Sequence, residues 1–177
     1  MWTSRARQTA GVGGLAGTAG GAAEILWIAL YGALTGNNTV EVARSISSVA
    51  RAVLPLSPLV TAPIAAGIAI HMLAAAALGV VLVFAWQALG ARRSVSIDQY
   101  AFMLPALTAV WGFNFLVVLP LISPHFVDLH HSLVEIVPYP IRFLSKLLFS
   151  AVAASVLKFL ANRCPLGRVG ALSCGMN

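Results

Sequence analysis

Four apolar runs, each long enough to cross a hydrocarbon core, constrain this chain more than any other feature. They cover about 11–34, 60–89, 100–122 and 141–161 of its 177 residues. An α-helix rises about 1.5 Å per residue, so about 20 residues bridge the roughly 30 Å apolar layer of a bilayer. Backbone groups exposed to lipid must bond within their own segment, so each run is expected to be a helix. Composition agrees: 9% of residues are charged and 59% hydrophobic, whereas a soluble domain carries about 25% charged residues on its surface. The expected fold is an all-α integral membrane bundle of four transmembrane helices. It forms one domain over 1–163, and 164–177 is a short cytoplasmic tail. The breaks "TGNNT", "GARRS" and "NRCP" supply the polar and helix-breaking residues expected at span ends.

The first run has a basic segment before it and small residues within it, as a signal peptide does, but it continues through "EILWIALYGAL". That length favours a retained span. Basic residues set the orientation. Arg5, Arg7, Arg92, Arg93, Lys158, Arg163 and Arg168 fall on one side, and Arg44, Arg51, Arg142 and Lys146 on the other. The positive-inside rule places both termini in the cytoplasm. The net charge of +6 then suits contact with anionic lipid headgroups, and no aromatic-interleaved basic stretch points to nucleic acid. Cys164 and Cys174 match no zinc or redox spacing.

Small residues mark the faces where helices are expected to meet. Gly13, Gly17 and Gly21 recur every fourth residue in the first span, and Gly67, His71, Ala75 and Gly79 do so in the second. Such stripes let backbones approach closely. Each span also contributes a polar side chain to the outer half of the bilayer. Counting along the helices, His71 lies roughly 15 Å below the outer end of its span and Lys146 about 8 Å below its own; Glu24 and Asn114 lie about 20 Å from the inner end. All four fall in the outer half. A carboxylate facing lipid near the membrane centre costs about 2.5 to 3.5 kcal/mol, so Glu24 is expected to face protein and to pair with His71 or Lys146. The resulting cluster of Glu24, His71, Asn114 and Lys146 is either a structural network or a proton-handling site.

Three further features bear on ligands. Gly67 precedes His71 by one helical turn, which leaves room for a tetrapyrrole on the imidazole. In "TVEVARSISSVARAVLP", Val42, Ile46, Val49 and Val53 share one face while Glu41, Arg44, Ser48 and Arg51 share the other; this predicts an amphipathic helix on the membrane surface, capped by Thr39. In "SPHFVDLHHSLVEIVPYP", a second such helix is expected, and His125, Asp128, His131 and Glu135 line one side of it as weak candidate ligands for zinc or copper.

No phosphate-binding loop, nucleophile elbow or H-E-x-x-H is present, so no catalytic role is expected. The Gly-rich first span with Glu24, the intramembrane His71 and "NFLVVLPLISPHF" resemble small bacterial membrane proteins, which implies the inner membrane. The residues themselves suggest a non-catalytic accessory or assembly subunit, joined to other membrane subunits through its Gly-rich faces. The alternatives are a small transporter or proton-conducting protein built on Glu24 and His71, and a single-histidine tetrapyrrole carrier.

Overall fold

The computed structural model describes residues 2–53, 61–93, 98–122 and 137–163. Its regular elements are all helical. They are α1 (Trp2–Thr35), α2 (Val40–Val53), α3 (Pro63–Arg93), α4 (Gln99–Phe113), a π-helical turn (Asn114–Val118), α5 (Leu119–Ile122) and α6 (Tyr139–Arg163). Four apolar stretches within them, Ala6–Thr35, Pro63–Leu89, Gln99–Val118 and Tyr139–Leu160, are long enough to span a membrane. The expected four-span bundle is therefore present. At 34 residues, α1 is about 50 Å long and overruns the hydrocarbon layer.

The spans run antiparallel in sequence, and α1 is the central one, packed against both α3 and α6; α4 lies on the far side of α6. The core fills the half of the bundle nearer the chain termini. Leu82 and Val83 of α3, Met103 and Leu107 of α4, and Phe149, Ala153, Ala154 and Leu157 of α6 pack there with Ala16.

Local chemistry explains the helix ends. Gly36 takes a left-handed backbone (φ 74°) and ends α1, a conformation that costs glycine little. Asp98 caps α4 by accepting from the backbone N–H of Tyr100 (2.9 Å) and Ala101 (3.3 Å). Truncating it in Asp98→Ala is expected to remove about 1 kcal/mol, measured as a lower unfolding midpoint in mixed micelles. The π turn has an equally local cause. Pro120 has no N–H for the carbonyl of Leu116, and its ring crowds that carbonyl, so the preceding turn widens.

The first link between spans differs from expectation. Helix α2 forms, starting directly after Thr39, and Glu41 pairs with Arg44 at 2.5 Å on its exposed side. Its other side, however, rests on α3. Ser47 is fully buried, and Val42 and Ile46 face a cavity inside the protein. Val42 and Ile46 of the stripe that the sequence assigns to a membrane surface are thus turned onto the bundle, where Gly67 of α3 leaves space for the α2 backbone. A Cβ on Gly67 would stand 2.7 Å from the Ala43 carbonyl carbon. The second expected surface helix lies outside the described residues.

Candidate functional site

The α1–α3 contact sets the position of the site. Cβ atoms on Gly13 and Gly17 would stand 2.7 Å from Val80 Cα and 3.0 Å from Gly79 Cα, and one on Gly21 would stand 2.6 Å from the Ala75 Cβ. With no side chains between them, the two backbones come together along a face of small residues. The next turn of each helix carries the polar residue. Glu24 and His71 therefore face each other, with Glu24 Oε2 3.9 Å from His71 Nε2.

Helix α6 supplies the remaining partners. Lys146 Nζ donates to Glu24 Oε1 at 2.5 Å. The Ser145 hydroxyl lies 3.1 Å from the same oxygen and 2.7 Å from the Arg142 carbonyl, so its single proton serves one acceptor at a time. Arg142, only 7% exposed, donates from Nε to the Val137 carbonyl at 2.9 Å and sits over the Phe115 ring at 5.6 Å. Glu24 is thus held by one oxygen. Its other oxygen and His71 Nε2 are buried without a hydrogen-bond partner among the described residues. Such atoms are rare, because each unmade bond costs about 1 to 3 kcal/mol. A third, Trp111 Nε1, lies where its ring meets those of Phe115 and Phe143.

These groups form the polar end of a cavity of about 360 Å³ in the half of the bundle away from the termini. Its walls are apolar: Ile25 and Ile28 of α1, Val42 and Ile46 of α2, and Ile64 and Ile68 of α3. At its rim Val40 and Ile68 are 43% and 40% exposed. The volume falls within the range of small-molecule sites, about 300 to 1,000 Å³, and a mostly apolar wall with a few convergent polar groups is their usual composition.

Three of the four polar residues expected to converge do so. Asn114 lines the cavity, but its side chain is exposed and no hydrogen bond joins it to Glu24, His71 or Lys146 among the described residues. It stands where α4 gives way to the π turn, and its neighbour Phe115 takes the inward position (7% exposed). The structure adds Arg142 and Ser145. Their signal was in the sequence: they precede Lys146 by four residues and one, and so share its helical face or border it. The glycines and Ala75 of the expected packing stripes lie at helix contacts inside the chain, except that Gly67 meets α2 rather than α1.

The space over Gly67 that a tetrapyrrole on His71 would need holds α2 backbone, and the imidazole faces α1. His125, Asp128, His131 and Glu135 lie outside the described residues. Among the described residues no three His, Cys, Asp or Glu side chains come together as a metal site. Comparison of the chain with protein-family models, curated proteins and solved structures gives no match.

Proposed function

We propose that this protein is a small membrane transporter that moves protons through Glu24 and His71. The observation that carries this reading is the pair of buried, unpartnered atoms, Glu24 Oε2 and His71 Nε2, at the end of a cavity within the spans. A purely structural network would be expected to satisfy its members, since half-made polar contacts in low dielectric are costly. Ionisable residues within spans mark proton and substrate pathways when they face the bundle interior. Lys146 holds the carboxylate in place and leaves one oxygen available to the imidazole.

The cavity lies in the half of the bundle away from the termini, and the apolar core around Val83, Leu107 and Leu157 fills the other half. That arrangement suits a carrier in one of its alternating states rather than an open channel. Leu26, Leu73 and Leu116, each at least 70% exposed, lie on the outside of the spans, where acyl chains would be their neighbours. The bias in basic residues supports an inner membrane with both ends cytoplasmic. The sequence bases an accessory-subunit role on small-residue faces in excess of the chain's own needs. Those faces pack against other helices of the same chain, Gly13, Gly17 and Gly21 on α3 and Gly67 on α2, and the cavity favours transport.

The test is proton flux into liposomes under an imposed potential, read with an internal pH dye. Wild-type protein is expected to raise flux above that of protein-free liposomes. Glu24→Gln is expected to lower it on the order of 100-fold, the scale of a lost acid–base group, while the helical circular dichroism stays unchanged. Wild-type flux equal to that of empty liposomes, or a Gln variant as active as wild type, would contradict the proposal.

A further inference from the structure

The gap between the two unpartnered atoms defines what fills it. At 3.9 Å, Glu24 Oε2 and His71 Nε2 are too far apart for a hydrogen bond and both are closed off from the surrounding space; a small parting of the two side chains would let one oxygen about 2.8 Å from each complete both. The chemistry of the two sides narrows the choice. An ionised carboxylate only accepts, and an imidazole with its proton on Nε2 donates. The bridging atom must therefore donate to one and accept from the other, as a hydroxyl does. A carbonyl has no proton for Glu24. A second carboxylate would face Glu24 with like charge, and an ammonium would face the Lys146 Nζ already 2.5 Å from the other carboxylate oxygen.

The rest of the cavity describes the body attached to that hydroxyl. Ile28, Ile46, Ile64 and Ile68 line it, and Val40 and Ile68 form a partly exposed rim. Ile68 lies within a candidate span and Val40 at the start of the adjoining α2, so the entrance is apolar and favours a molecule dissolved in lipid over a hydrated ion.

We propose that the cavity binds an uncharged lipophilic phenol or alcohol, its hydroxyl seated between Glu24 Oε2 and His71 Nε2 and its body among the isoleucines. This inference rests on the reading of the cavity as the working site. It names the class of solute that would meet the Glu24–His71 pair.

The experiment uses the full chain in lipid nanodiscs, titrated calorimetrically with 4-hexylphenol, its methyl ether 4-hexylanisole, and hexylbenzene; empty nanodiscs give the partition baseline. The phenol is expected to bind saturably at one site. The ether, which cannot donate, and the hydrocarbon are expected to bind at least about 10-fold more weakly, because a site built for a hydroxyl rejects analogues that leave its polar groups unpaired. Ile68→Trp, which narrows the rim without touching the polar end, is expected to abolish the saturable phase. Equal binding of all three probes would reduce the effect to apolar partition and overturn the proposal. So would a phenol titration indistinguishable from empty nanodiscs, which would leave the gap to water. Flux from the same preparation separates the two claims: saturable phenol binding without proton flux removes only the conduction reading, and flux without binding removes only this one.

Discussion

Lys146→Met is expected to cost about 3 to 5 kcal/mol of stability, whereas adding Glu24→Gln to it is expected to restore most of that loss. Lys146 compensates a carboxylate whose side chain is 10% exposed. Removing the cation alone leaves that charge buried with only the Ser145 hydroxyl in hydrogen-bond range and His71 beyond it, and breaking one side of a buried pair carries a cost of this size. Replacing both partners removes the charge with its compensation. The reverse single change is milder, because the Lys146 side chain is 26% exposed and its flexible stem can turn the ammonium toward the headgroups. Unfolding in mixed detergent micelles gives all four corners of the cycle. A coupling energy near zero would show that the two residues do not meet.

Gly17→Leu is expected to be the most damaging single change along α1. A Cβ there would stand 3.0 Å from both the Ala75 carbonyl carbon and Gly79 Cα, which belong to backbone and have no rotamer to yield. The helices must separate, and with them Glu24 and His71 one turns further on. Overpacking in a tight core costs about 1 to 3 kcal/mol, and a backbone clash at the central contact belongs at or above the upper end. Gly11→Leu serves as the comparison, since a Cβ at Gly11 meets nothing within 4 Å; it is expected to stay within about 1 kcal/mol of wild type. Similar losses at the two positions would remove the α1–α3 contact as the element that positions the site.

Much of this arrangement was legible because the membrane simplifies the problem. Long apolar runs set the number and limits of the spans, and the four-residue recurrence of Gly13, Gly17 and Gly21 against Ala75 and Gly79 marked the faces that meet. The meeting of Glu24, His71 and Lys146 followed from depth and from the cost of a lone carboxylate in lipid. What depth counting lacks is rotation about the helix axis. Asn114 sits at a suitable level, but the π turn begins at that residue and Phe115 faces inward instead; Pro120, which provokes the turn, is six residues away. Likewise, a strong division into apolar and polar faces does not say whether lipid or protein covers the apolar one. For α2 the answer lay in Gly67, whose missing side chain admits the α2 backbone. The cavity was not legible at all, since it is lined by residues from α1, α2, α3, the π turn and α6 together.

The distance between the Lys146 ammonium and the Glu24 carboxyl carbon in lipid bilayers tests the central claim most directly. The chain has only two lysines, Lys146 and Lys158, and Lys158 Nζ lies over the Tyr100 ring. Solid-state NMR with nitrogen-labelled lysine and carboxyl-labelled glutamate can therefore isolate the pair. The predicted result is one nitrogen–carbon coupling at about 3 to 4 Å, as a charge-assisted hydrogen bond requires, lost in Lys146→Met and kept in Lys158→Met. A Lys146 nitrogen with no carboxyl carbon within about 6 Å would contradict the account.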